Sequence, residues 1–229
     1  MHRRKIVIKN EVKWTTYLRL SLMIFCAFLL EYFSLFVIEM LIMRMDIFNY
    51  SGREQSLHHF IMVVIWSIYL GFILVYSRKK YEFPAKRIQS DISKKDLVTA
   101  LVCLFGCKIM TFIDWHTLKV VGELQGKATV QFIVQYLYYF MEIGIVLLIV
   151  MYGQKAIETL IKRGSNIPFG GFILAITWGA FHFVSRGKGI EIWNGISCII
   201  FSVLFGISYL KLKRNYFYSY LFGAIGYLL

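Results

Sequence analysis

Proline is nearly absent, at two in 229 residues. It removes a backbone donor and breaks helices, so its scarcity fits long uninterrupted ones. Acidic residues are also few, 13 Asp and Glu against 26 Lys and Arg, a formal charge of +13. A strongly basic chain ordinarily suggests nucleic acid. Here the basic residues sit in loops between apolar runs, which argues against a nucleic-acid face and fits topogenic charge and attraction to anionic lipid headgroups. The four cysteines, Cys26, Cys103, Cys107 and Cys198, all lie within apolar runs, as small buried hydrophobic thiols do. Cys103 and Cys107 stand four apart on one helix face, without the His or second Cys pair that would make them a metal site. There is no internal repeat, no low-complexity stretch and no linker long enough to split domains. No cleavable signal peptide is expected, because the first apolar run is too long for an h-region and lacks a small-residue cleavage site.

Apolar residues make up 58% of the chain and mean hydropathy is +0.61. Typical soluble domains are about 45–50% apolar. The apolar runs are too long and continuous for barrel strands, so the expected fold is all-α, a polytopic transmembrane helical bundle forming one integral membrane domain over 1–229. Seven spans are expected, at about 18–42, 58–77, 97–115, 130–152, 169–185, 192–210 and 216–229. Most reach the roughly 17–25 residues that a crossing needs, and the last is short enough to be tilted, re-entrant or incomplete. A cytoplasmic N-terminus collects 19 of the 26 Lys and Arg on inner segments and six, Lys119 and Lys127 among them, on outer ones. That bias supports both orientation and span count. The inner 78–96 loop is expected to form a short amphipathic helix on the membrane surface.

Ionisable residues at membrane depth are costly and read as functional by default. The fourth span carries Glu142, and Gln131, Gln135, Tyr138 and Glu142 share one face. In lipid that face must point into the bundle or a wet cavity. The fifth span carries His182, with Trp178 and Ser185 on its face and Thr177 beside it. Gly170, Gly171 and Gly179 let a neighbouring helix come close. On the sixth span Asn194, Cys198 and Ser202 form a mildly polar line, with Asn194 placed to hydrogen-bond His182. Gln154 lies past the stripe at the cytoplasmic end. Each residue also has a bland role. Glu142 and His182 serve equally as interhelical hydrogen-bonders, Trp178 as packing, and Glu31 and Glu39 as structural or cavity-lining groups. His58, His59 and His116 read as solvated at outer span ends. Acting together, Glu142 and His182 would activate water as general base and partner, or ligate a divalent metal such as zinc. A hydrolytic zinc site takes three protein ligands as a rule, and the sequence offers two.

Residues 97–229 resemble the CPBP family of CAAX proteases and bacteriocin-processing (Abi-like) membrane proteins. The likeness rests on WGAFHF, where His182 matches the His of a Phe-x-x-x-His motif and Trp178 replaces its Phe. FSVLFGISYLKLKRN, with Gly206 and Tyr209, looks like the stretch before the family's last motif. Met141-Glu142 occupies the family's Glu-Glu position with one glutamate, and Leu147 or a neighbour stands where an Arg is usual. In the last motif Phe222 or Gly223 replaces His, and Gly226 replaces Asn or Asp. The resemblance implies a multi-helix intramembrane endopeptidase with Glu142 as general base and His182 as metal ligand or oxyanion donor. It implies a peptide or membrane-protein substrate, peptide processing or bacteriocin immunity, and a bacterial plasma membrane. Gln135, Tyr138, Gln154, Trp178 and Asn194 are expected as supporting polar groups. The alternative is a catalytically degenerate scaffold or regulator. The hydrolase reading requires Glu142 and His182 to meet in one cavity, within about 3–7 Å.

Overall fold

The computed structural model describes residues 12–81, 91–185 and 189–229. The expected surface helix in the 78–96 loop, over residues 82–90, lies outside the described residues, as do the basic residues before Val12 and the Arg186 and Lys188 loop charges. Among the described residues the chain is helical with no strand.

Helix α1 is Trp14–Ile42, whose last turns, Ser34–Ile42, are π-helical. Helix α2 is Gly52–Tyr81, α3 Lys94–Trp115, α4 the six residues Lys119–Leu124, α5 Thr129–Leu160, α6 Phe169–Gly179, α7 Ile192–Lys211 and α8 Tyr216–Leu228. The seven expected spans map onto these helices in order, with α4 as an addition folded back from the loop after α3. Among the described residues, five helical segments are long and apolar enough to cross a membrane. The polarity is that of a membrane bundle. Ile68, Phe72, Val102, Phe105 and Ile176 are exposed on the outside, while Glu39, Gln135, Glu142, Ser202 and Ser219 are buried. A soluble protein would not leave so much continuous apolar surface uncovered.

Helix α5 is the axis of the bundle and packs against α1, α2, α6 and α8, while α3 packs on α7 and α8. Its run from Ile143 to Val150 is buried almost without interruption. The 30-Å-scale hydrocarbon core explains why α1, α2 and α5 run so long, and also why α6 is anomalous. At about 1.5 Å per residue, the helix Phe169–Gly179 covers only about 16 Å. It wedges between two neighbours at its start. A Cβ on Gly170 would lie 2.1 Å from the Val150 carbonyl oxygen of α5, and one on Gly171 would lie 2.8 Å from the Ser202 carbonyl oxygen of α7. The fifth span was expected to stay helical to 185. It instead passes through a π-helical stretch, Ala175–Gly179, and opens into turns over 182–185. Irregular backbone at membrane depth is tolerated only where it is buried in protein or lines a cavity.

Ion pairs lock the end of the bundle that carries the KLKR turn. Lys211 and Lys213 of the KLKR turn reach Asp96 at 3.2 and 2.7 Å, and Arg214 reaches Glu158 at 2.6 Å. Gln154 belongs to this end. It donates to Glu158 and to the Ile167 carbonyl and accepts from Gly170 N at 2.9 Å. Twelve residues from Glu142 on one helix is about 18 Å, so Gln154 fixes the start of α6 and plays no part in the cavity, contrary to its expected role as a supporting polar group.

Candidate functional site

A cavity of about 240 Å³ opens among α1, α3, α4, α5, α6, α7 and α8. Glu142, at the middle of α5, is 4% exposed and lines it, as do Tyr138 and Tyr139. His182 enters from the turn where α6 ends. Its Nε2 is 4.0 Å from Glu142 Oε1, inside the range the hydrolase reading requires. That gap is too long for a direct hydrogen bond and is one that a water can bridge.

Four contacts fix the pair. Trp178 Nε1 donates to Glu142 Oε1 at 3.0 Å. His182 Nδ1 lies 2.8 Å from the Trp178 carbonyl oxygen. A carbonyl only accepts, so Nδ1 carries the hydrogen, and Nε2 is the nitrogen turned toward Glu142. Asn194 of α7 donates its side-chain N–H to the His182 carbonyl at 2.9 Å, as its position suggested, although through backbone and not the ring. Tyr227, near the end of α8, brings its hydroxyl to the Glu142 carboxylate. The expected last-motif positions do not supply it. Gly223 faces Phe205 and Ile143, and Gly226 faces Cys107 and Leu104.

The polar stripe on α5 is split between two further networks. Gln131 stays at the helix start, accepting from Ala128 N. Gln135 is buried and bonds Glu123 Oε2 at 2.8 Å and the Tyr139 hydroxyl at 2.7 Å. Tyr139 donates to Glu123 Oε1 at 2.7 Å, and Lys127 pairs with the same glutamate. Tyr138 reaches Glu31 at 3.4 Å.

Two groups were missed from sequence. His58 is buried, where solvation at a span end was expected. Its Nδ1 is 2.9 Å from Glu39 Oε1 and its Nε2 is 3.4 Å from Glu31 Oε1, an arrangement that a doubly protonated imidazolium satisfies. Ser34 and Tyr50 also donate to Glu39. Burial first, and then this carboxylate, push the Tyr50 hydroxyl above the ordinary phenol range. The second missed group is Lys119, counted among outer-loop charges. Helix α4 carries it inward, where it is 7% exposed and lines the cavity. Its Nζ lies 3.9 Å from the Tyr227 ring centroid and 4.2 Å from that of Tyr139. The only hint in the sequence was a lysine followed by the apolar pair Val120-Val121.

Cys107 and Cys198 also line the cavity, and Cys26 is exposed on the bundle surface, where a buried thiol was expected. No group of three or more His, Cys, Asp or Glu side chains placed to hold a metal occurs among the described residues. Glu142 and His182 alone fall short of the three ligands a hydrolytic zinc takes, and the ammonium of Lys119 shares their cavity. The residues therefore do not fit that metal site. No protein-family model, no curated protein and no solved structure matches the chain.

Proposed function

We propose that the chain is a multi-pass intramembrane peptide hydrolase of the CPBP type, divergent in its motifs and placed in a bacterial plasma membrane. The observation that supports this most is the convergence of Glu142 and His182 on one cavity at 4.0 Å from two consecutive hydrophobic segments. Glu142 takes a proton from a water held between the two side chains. The water oxygen attacks the peptide carbonyl carbon, and the carbonyl π electrons move to its oxygen. That oxyanion is met by the Nε2–H of a protonated His182. Collapse breaks the C–N bond, and the proton held by Glu142 passes to the leaving amine. Water and a peptide bond become an acid and an amine, and no metal takes part. Trp178 and Asn194 are positioning residues, acting through Glu142 and the His182 backbone.

A second reading draws on Lys119. Its buried ammonium shares the cavity with Glu142 and His182, in place of a further hydrolytic partner. On that reading the chain is a catalytically silent scaffold or regulator, bacteriocin immunity included.

Peptide cleavage by the purified, reconstituted protein separates the two. The hydrolase reading expects turnover that persists with chelator and falls at least about 100-fold in Glu142→Gln. Wild-type protein that cleaves nothing, or a Glu142→Gln variant as active as wild type, ends it.

A further inference from the structure

We propose that Lys119 is a carboxylate-recognition residue and that the cavity takes a peptide carrying a carboxylate close to the bond attacked. This rests on the hydrolase reading for the identity of the ligand as a peptide, and on the cavity itself for the charge.

An ammonium has three donors, and burying it costs several kcal/mol unless they are met. Lys119 is almost wholly buried, yet no acceptor among the described residues lies within hydrogen-bond distance of its Nζ. Two aromatic faces hold it, those of Tyr139 and Tyr227. Faces stabilise a cation without using its N–H donors, so the donors remain for whatever occupies the cavity. The cage is itself braced. Glu123 accepts from the Tyr139 hydroxyl, and the backbone N–H of Lys119 donates to the Leu229 carbonyl at 3.1 Å.

Charge favours a monoanion. Glu31 and Glu39 share the single imidazolium of His58, so that cluster adds no cation to the cavity, and Asp114 at the cavity's edge is exposed to solvent. Lys119, a protonated His182 and Glu142, taken alone, sum to zero with one ligand carboxylate. A phosphate dianion would leave one charge buried and unpaired. Size limits the rest. At about 240 Å³ the cavity is smaller than the roughly 300–1,000 Å³ of pockets for drug-sized ligands, so it encloses a residue or so and no extended chain. Thr111, Ser185, Asn194 and Ser197 line it with side-chain oxygens that can accept from a peptide N–H, which an acyl chain lacks. The carboxylate is either the chain end or an Asp or Glu side chain next to the scissile bond.

The test is binding to full-length Glu142→Gln protein in nanodiscs, read by fluorescence anisotropy. One peptide pair differs only in a free or amidated C-terminus. A second, amidated pair differs only in Asp or Asn. At least one carboxylate peptide binds about tenfold or more tighter than its neutral twin, and the pair that shows it names the source. Lys119→Met erases the difference, and Lys119→Arg keeps part of it. Should Lys119→Met fail to fold, acetate competition on the unsubstituted cavity replaces it, displacing the carboxylate peptide and sparing the neutral one. Equal binding of both twins overturns the proposal, as does a preference that survives Lys119→Met or resists acetate. Oleate bound through Lys119 with no peptide bound would assign the site to lipid instead. Wild-type cleavage of charged and neutral peptides at equal rates sinks this inference and keeps the hydrolase. A carboxylate preference without cleavage does the reverse.

Discussion

The indole of Trp178 donates to the carboxylate of Glu142 across 3.0 Å, between the short helix α6 and the central helix α5. The motif that this segment resembles has Phe at this position, and a Phe ring has no N–H to give. Trp178 is also fully buried, so packing and hydrogen bonding are both real parts of its role. The two separate by mutation. Trp178→Phe keeps most of the ring volume and strips one donor from a buried carboxylate, so it should cost about 1–3 kcal/mol. Trp178→Ala adds a cavity and should cost about 3–5 kcal/mol. Unfolding in detergent followed by circular dichroism measures both. A Trp178→Phe variant as stable as wild type would show that Glu142 does not depend on this bond.

His58 joins α2 to the Glu31 and Glu39 carboxylates of α1. His58→Leu leaves Glu39 buried with its acceptors partly unmet, so a loss of about 3–5 kcal/mol is expected. Pairing it with Glu39→Leu removes the stranded charge, and most of that loss should return, because an apolar pair of similar volume often replaces a buried ion pair at little cost. Non-additivity of this kind, measured as a double-mutant cycle, identifies a coupled pair. Simple additivity of the two substitutions would count against the contact.

How far the sequence carried can be seen residue by residue. Hydropathy located the crossings, because a bilayer demands apolar length whatever the tertiary structure. Glu142 and His182 were legible for the same reason, since an ionisable group in a long apolar run stands out. Lys119 was not. It sits in a six-residue helix whose inward fold depends on Tyr139 and Tyr227, 20 and 108 positions away. Only the apolar pair Val120-Val121 after it distinguishes it locally from a topogenic lysine. His58 failed likewise, because its partners lie on another helix. The turn carrying His182 was read as helix because the apolar pattern continues to Val184, and only the π-helical turn before it breaks the 3.6-residue period.

Gly171 sets how deep α6 can sit. Its added Cβ would stand 2.8 Å from the Ser202 carbonyl oxygen and 3.0 Å from the Gly206 Cα, backbone atoms that cannot rotate away. Gly171→Val should therefore push α6 off α7 and cost about 1–3 kcal/mol or more. The same shift carries Trp178 away from Glu142. Intrinsic tryptophan fluorescence should change together with stability, and a substitution that alters neither would mean that α6 is not wedged here.

Orientation has its own test. Helix α6 and the turn after it place His182 toward the outer half only if the N-terminus is inside, which the basic residues of the inner loops support. On a background lacking native cysteines, Asn49→Cys and Arg163→Cys put thiols at exposed positions of the 43–51 and 161–168 loops. A membrane-impermeant maleimide added to intact cells should label Asn49→Cys and spare Arg163→Cys until the membrane is opened. The reverse pattern would turn the bundle over. The cavity would then face the cytoplasm, and the polar rim of Asn194 and Ser197 would meet cytoplasmic peptides instead of external ones. Labelling of both positions from one side would mean that the number of crossings between them is even, and that one of α2, α3 and α5 does not pass through.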